Sequence, residues 1–500
     1  MNDRVTIFDT TLRDGEQAPG IALTPDEKVT IAHQLAKLRV DVLEAGFAAS
    51  SPGDFEAVSR IAAGVRGPVI ASLARAHPDD IDQAHDALKA ADRYRIHVFM
   101  STSAIHMEKM LRLTPAEVMK ASVEGVRRAR GYTDDVEFSP QDATRSDPDF
   151  MIAVCQAAVE AGATTINIPD TVGFATPSEF AELLKRVFKE VRGDRDDVIM
   201  SVHCHNDLGL AVANSLASLA AGARQIEGAI NGIGERAGNT SIEEVVMAIK
   251  TRQDVFGVDL GVDTTQLYDT SRLVARLTGY PVQYNKAVVG RNAFAHESGI
   301  HQHGVLRDRE TYEIMDAAEV GQQAAQIVLG KHSGRAGFLD ALARMGIALE
   351  DDAFTRAFER FKQLADRKIQ IGEDEIRAIV DDQTGESTEK VKMVSLHVAG
   401  GNEVTPTATV RVVKDGVEQT YTGQGDGMVH ATFAALRLAF ETEAKLIDYR
   451  VVPVTSGADA MAEVNVVVRI GDRTFAGHSL NTDVVEGSAE AFANALNKAG

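Results

Sequence analysis

Cysteine is nearly missing from the 500 residues: only Cys155 and Cys204 occur. Two thiols build no disulfide framework, and they fit a reducing, cytoplasmic compartment. Long apolar runs are missing too. None reaches the ~18–20 residues that span a membrane. The opening stretch from Met1 to Thr11 reads as a strand almost at once, which leaves no room for a secretory leader. Positive charge is in short supply: 52 Lys and Arg stand against 73 Asp and Glu, a formal net charge of −21. That balance argues against nucleic acid and anionic membrane as partners, but not against a small anion held by a local cation. The first strand lacks a following G-x-G-x-x-G turn, so an open dinucleotide-binding sheet is the weaker reading.

What is present is ordinary globular material, 44% apolar and 25% charged. Apolar, β-branched runs occur at 5–11, 40–46, 68–74, 94–102, 135–140, 164–170, 198–207 and 225–232. Between them lie stretches with apolar residues at helical spacing. Thr24-Pro25-Asp26-Glu27, Thr114-Pro115-Ala116-Glu117 and Thr176-Pro177-Ser178-Glu179 each combine a capping Thr, a Pro at the first helical position and a Glu three residues on. Eight strands alternating with helices over 1–270 predict a (β/α)8 TIM barrel. Residues 271–390 read as a mostly helical linker region that ends in a polar, charged stretch at 381–390. Residues 391–500 read as a separate α+β domain, with strands at 392–399, 407–414 and 462–470 and helices at 428–444 and 488–498.

Chemistry in such a barrel gathers at the C-terminal ends of the strands. The polar residues obey that rule: Asp9 and Arg13 follow strand one, Glu44 ends strand two, and Glu137 and Gln141 belong to strand five. Thr171 ends strand six, and Asn239 follows strand eight. Strand seven ends in Ser201-Val202-His203-Cys204-His205-Asn206-Asp207. Alternation turns His203 and His205 one way and Cys204 the other. Asp9, His203 and His205, with Asn239 as a fourth candidate, offer O, N, N and O ligands and no thiolate. That set suits a catalytic divalent ion, Mn2+ first, with Mg2+ or Zn2+ as alternatives. Such an ion could polarise the ketone of a 2-oxo acid, and Arg13 could donate to the developing alkoxide. The plainer alternative for Arg13 is a surface arginine paired with Asp14 or Glu16.

Three motifs carry a family resemblance. Asp9-Thr10-Thr11-Leu12-Arg13-Asp14-Gly15-Glu16-Gln17 resembles the D-T-T-L-R-D-G-E-Q signature of the 2-isopropylmalate, homocitrate and citramalate synthases. His203-Cys204-His205-Asn206-Asp207-Leu208-Gly209 resembles their H-x-H-N-D-x-G. Asn231-Gly232-Ile233-Gly234-Glu235-Arg236-Ala237-Gly238-Asn239 resembles their N-G-x-G-E-R-x-G-N. The resemblance runs the whole length and is strongest to the 2-isopropylmalate synthases.

It implies a metal-assisted condensation of acetyl-CoA with 3-methyl-2-oxobutanoate and water, the first committed step of leucine biosynthesis. Pyruvate as acceptor, the citramalate synthase reaction, is the alternative. Carried over by position, Asp9, His203, His205 and Asn239 bind the metal, Arg13 assists at the ketone, and Thr171 contacts the acceptor's carboxylate. His301, in the histidine-rich turn 296–304, is the implied base, reached when the linker of one subunit closes over the barrel of another in a homodimer. Many members carry glutamate where this chain has Gln141, so no acid–base role passes to Gln141. Any carboxylate duty there falls to Glu137 or Asp142, or is absent. The last domain resembles a leucine-sensing regulatory domain, with Gly401, Asn402, Gly425 and Asp426 in its glycine-rich turns. Many relatives read G-x-G-P-V-D-A at the second turn, where this chain has Asp426-Gly427-Met428-Val429-His430-Ala431.

Overall fold

The computed structural model describes residues 3–193, 195–322, 326–327, 329–365, 376, 379–380, 390–401, 403–453, 462–471 and 473–499. The chain divides into two compact units, Met1–Ala295 with Glu313–Ala325, and His296–Tyr312 with Gln326–Gly500.

The first unit is a closed parallel barrel. Its strands are β1 (Thr6–Asp9), β2 (Val42–Gly46), β3 (Val69–Arg75), β4 (Tyr94–Ser101), β5 (Val136–Gln141), β6 (Thr165–Asp170), β7 (Ile199–Cys204) and β8 (Gln225–Gly228). They pair in chain order, and β1 closes the ring against β8. The outer helices are α1 (Pro25–Leu38), α2 (Pro52–Gly64), α3 (Pro78–Leu88), α4 (Pro115–Arg130), α5 (Pro148–Ala161), α6 (Pro177–Arg192), α7 (Ala211–Ala221) and α8 (Ile242–Thr251), followed by α9 (Leu267–Thr278).

Six of these helices begin at proline, whose missing N–H is no loss in a first turn. The expected capping boxes form at Thr24/Glu27 and Thr114/Glu117, each with reciprocal bonds of 2.8 and 3.3 Å. At Thr176 the return bond from the backbone to Glu179 is longer, 3.4 Å.

The barrel axis is polar where apolar layers are usual. His97, Glu44, Glu137, Gln225, Glu227 and Arg95 are all buried within it. The cost of burying these groups falls only if they satisfy one another, and largely they do. Arg95 donates to Asp135, Glu137 and Gln225 at 2.7 to 2.9 Å.

In the second unit, α10 (Gly299–Arg307), α11 (Arg335–Arg344) and α12 (Asp351–Ala365) precede two antiparallel three-stranded sheets. A phenylalanine cluster of Phe338, Phe354, Phe358 and Phe361 joins α11 to α12. The sheets are β9 (Val391–Gly401), β10 (Val404–Lys414) and β11 (Val417–Gln424), then β12 (Lys445–Pro453), β13 (Ala462–Ile470) and β14 (Arg473–Asn481). Helix α13 (Met428–Ala439) follows the first sheet, α14 (Val484–Asn497) follows the second, and Phe433 of one stacks on Phe492 of the other with centroids 4.2 Å apart.

Three strands here were not expected from sequence. β11 is polar and largely exposed, so it lacks an apolar period. The helix expected through residue 444 stops at Ala439, because Glu441 turns into the left-handed region at φ 51° and β12 begins at Lys445. Among the described residues no helix is long and apolar enough to cross a membrane. Most of the polar stretch 381–390 lies outside the described residues.

Candidate metal centre and acceptor cleft

β7 delivers its two imidazoles as alternation requires. His203 faces the barrel interior and Cys204 faces the helices, where its thiol meets Ser215 of α7 and burial pushes it far up from its ordinary range. His203 Nε2 and His205 Nε2 lie 3.2 Å apart. Asp14 Oδ2 lies 3.7 Å from the first and 3.8 Å from the second. Asn239 Nδ2 donates to Asp14 Oδ1 at 2.8 Å, while the buried Asn239 Oδ1 and His205 Nδ1 have no partner among the described residues.

Burial lowers both imidazoles to about 4, so they are neutral near pH 7. Burial works the other way on Asp14, but the Arg13 guanidinium, the two imidazoles and the Asn239 amide together outweigh it and hold the carboxyl well below the usual range. Two neutral imidazoles, an ionised carboxylate and an orphaned amide oxygen fit a divalent cation.

Asp9 is not in this group, which corrects the expectation drawn from sequence. Strand alternation is the reason. Phe8 points into the barrel, where its ring meets that of His97 with centroids 5.8 Å apart, so Asp9 points outward. Both Asp9 oxygens accept from Thr11, at 3.0 Å from its N–H and 2.9 Å from its hydroxyl. Burial pushes the Asp9 carboxyl up to about 7. The carboxylate that meets the imidazoles comes five residues later, from the turn after β1.

Arg13 sits at the same mouth, with a tenth of its side chain exposed. Its Nη1 donates to Asp14 Oδ2 and its Nε to Glu44 Oε2, both at 2.6 Å. Nη2 has no partner among the described residues. Glu44 is fixed in turn by Thr10 Oγ1 at 2.7 Å and His97 Nδ1 at 2.8 Å. Burial would raise Glu44, but Arg13 and His97 hold it down at about 2.

Thr171 lines the same cleft of about 260 Å³ as Arg13, Asp14, His203 and His205. Its Oγ1 accepts from the Asp142 N–H at 2.9 Å, which leaves the hydroxyl proton free to donate. Arg236, a non-glycine residue held at φ 55°, donates to the Thr171 carbonyl at 2.9 Å and to both Asp207 oxygens at 2.7 and 3.0 Å. It thereby ties together the loops after β6, β7 and β8. Gly173 permits this closeness: at its φ of 60°, a Cβ would lie 2.7 Å from the Asp207 nitrogen.

Gln141 also lines the cleft, with Oε1 accepting from Ser101 Oγ. The two neighbouring carboxylates lie elsewhere. Glu137 is buried deep in the barrel under Arg95 and Gln225, and Asp142 is held by Arg145 at 2.8 and 2.9 Å. Burial pushes both Glu137 and Glu227 above the carboxylate range.

His301 lies in the second unit, exposed on α10, and stacks on Tyr312 with centroids 4.0 Å apart. Of the turns read as regulatory, Gly401 ends β9 and Asn402 lies outside the described residues. Gly425 packs under α13, where a Cβ would lie 2.7 Å from the Ala431 nitrogen, so this glycine has a packing reason of its own. Asp426 is exposed and its N–H donates to His430 Nδ1 at 3.2 Å.

Sequence reasoning missed Asp14, His97, Glu227 and Arg236 as residues of this cleft. Asp14 had a usable signal in its adjacency to Arg13; His97 and Glu227 depend on which strands meet, and Arg236 on which loops do.

An HMGL-like family profile matches residues 4–274, a homocitrate synthase post-HMGL domain-like profile matches 288–369, and a LeuA allosteric (dimerisation) domain profile matches 370–499. The 2-isopropylmalate synthase of Acidimicrobium ferrooxidans is 56% identical over 499 residues, covering 99% of this chain and 96% of that one. That of Pyrococcus furiosus is 53% identical over 499 residues, covering 100% and 99%. A solved HMG-CoA lyase from Acinetobacter baumannii, in complex with coenzyme A and 3-methylmalate, shares the fold at TM-score 0.50 and 22% identity, covering 59% of this chain and 97% of that one.

Proposed function

The chain belongs to the 2-isopropylmalate synthase family, and from that premise we propose that it condenses acetyl-CoA with 3-methyl-2-oxobutanoate and water to give 2-isopropylmalate and CoA. One observation carries the reading. A set of O and N donors converges in a single cleft with an arginine that has a free arm and a threonine that has a free proton. That the relatives are 2-isopropylmalate synthases does not favour the pyruvate-accepting alternative.

Asp14, His203, His205 and Asn239 would hold a divalent ion, Mn2+ before Mg2+ or Zn2+. When bound, it supplies Lewis-acid polarisation of the acceptor's ketone. The Thr171 hydroxyl donates to the acceptor's carboxylate. Arg13, immobilised by Glu44 and Asp14, offers Nη2 to the ketone oxygen as it takes up negative charge. His301, carried over from the resemblance, removes a proton from the acetyl methyl group. The new carbon–carbon bond joins that methyl carbon to the ketone carbon, and the ketone oxygen takes up a proton. Water then cleaves the thioester and CoA leaves as the thiol. The LeuA domain match supports a homodimer, and leucine is the proposed effector. The setting is cytoplasmic leucine biosynthesis.

The test follows CoA thiol release from acetyl-CoA with a panel of 2-oxo acids, with and without EDTA, then with leucine. Turnover should be fastest with 3-methyl-2-oxobutanoate and should vanish on metal removal. Pyruvate turned over equally fast would overturn the acceptor assignment.

A further inference from the structure

Glu227 has no evident reason to be where it is. It lies on β8 with its side chain inside the barrel, 1% exposed, at a level that branched apolar residues usually fill. An ionisable group so placed is costly unless its bonds recover the cost. In β-register Glu227 stands directly beside His203, and its Oε2 lies 3.0 Å from His203 Nδ1. Its Oε1 is buried and accepts from no donor among the described residues, and its carboxyl faces that of Glu137. Behind it, Glu137 is held by Arg95 Nη1 and Gln225 Nε2, each at 2.9 Å. Gln225 also bonds Ser201 at 3.0 Å. A buried carboxyl thus directs one oxygen to the far nitrogen of an imidazole whose near nitrogen meets Asp14 and His205.

We propose that Glu227 is the positioning residue of His203: it accepts the Nδ1–H, and so fixes the tautomer whose Nε2 lone pair faces Asp14 and His205. A carboxylate or carbonyl behind a ligating imidazole orients the ring and raises its basicity, and loss of such a partner costs ~10–100-fold in metal affinity. Arg95 and Gln225 serve this arrangement at one remove by holding Glu137. The inference rests on the metal reading of Asp14, His203, His205 and Asn239 proposed above.

The test uses the full-length, metal-stripped protein and Mn2+ alone, titrated by calorimetry without substrates. Wild type should bind Mn2+, and His203→Ala should lose that binding; failure of either overturns the metal reading itself. With those two in hand, Glu227→Leu should weaken Mn2+ about 10–100-fold. Glu227→Gln, which keeps an acceptor oxygen in the same shape, should recover most of the loss. The second readout is the 15N spectrum of histidine-labelled, metal-free protein. There, His203 should be protonated at Nδ1 in wild type and in Glu227→Gln, but not in Glu227→Leu. Mn2+ affinity within twofold of wild type in Glu227→Leu, or an unchanged His203 tautomer, would overturn the proposal. Should Glu227→Leu not fold, Glu227→Gln decides alone: retained Nδ1 protonation with less than a tenfold loss supports the proposal, and a lost tautomer or a larger loss overturns it.

Discussion

Arg13 Nε donates to Glu44 Oε2 at 2.6 Å, and this bond aims the guanidinium. Because Nη1 is committed to Asp14, the fork has one arm left. A lysine has no fork, and one ammonium cannot hold both carboxylates and also serve the substrate. Arg13→Lys should therefore lower kcat by ~10²–10³-fold, the range for removing a donor from developing negative charge. Glu44→Gln should cost less, ~10-fold, because an acceptor oxygen remains. Steady-state kinetics with acetyl-CoA and 3-methyl-2-oxobutanoate read both values. Equal, small effects would mean that Arg13 is only structural.

His301 is the proposed base, and its stacking on Tyr312 restricts the ring. His301→Ala should lower kcat by ~10²–10⁴-fold, the usual contribution of general base catalysis, with little change in the acceptor's KM. Wild-type kcat in this variant would move the base elsewhere.

The buried ionisable groups make the stability of metal-free protein depend on pH in a definite direction. Asp9 is raised to about 7, and Glu137 and Glu227 to about 8. Their protonated forms favour the fold, so that contribution is complete below the ordinary carboxylate range and is lost as pH rises through 7 to 8. His203 and His205, lowered to about 4, contribute the opposite way: fully above about 6.5, and progressively less as pH falls through 4. Between those values the two sets offset each other. Above pH ~6.5 only the carboxyls still change, so the Tm of stripped protein should fall between pH ~6.5 and ~8. The corresponding loss is about 1.4 kcal/mol per pH unit for each retained proton. A flat or rising Tm there would mean that these carboxyls are already ionised in the fold.

Much of the barrel was legible in sequence, because its strands are continuous apolar runs and its helices begin with Thr-Pro-x-Glu or similar caps. The His203/Cys204/His205 alternation was legible for the same reason. Asp9 misled because it is the last residue of β1 and so looked like a strand-end ligand. The parity rule that sorted His203 from Cys204 also puts Asp9 opposite Phe8, but only the structure shows that Phe8 faces inward. His97, Glu44 and Glu227 come from three different strands. Their meeting inside the barrel depends on its closure, which no local pattern records. The hidden strands β11 and β12 are largely exposed and β14 is only partly buried, so they have weaker apolar periods than the strands of a fully buried sheet.

The central claim is that Asp14, and not Asp9, joins His203 and His205 in holding a divalent ion. Calorimetric titration of Mn2+ into metal-stripped wild type, Asp14→Asn and Asp9→Asn tests it directly. Asp14→Asn, which neutralises a ligand itself, should lose more affinity than the ~10–100-fold that loss of a partner behind a ligand costs, while Asp9→Asn should stay close to wild type. The reverse order, with Asp9→Asn losing the metal and Asp14→Asn keeping it, would contradict the claim.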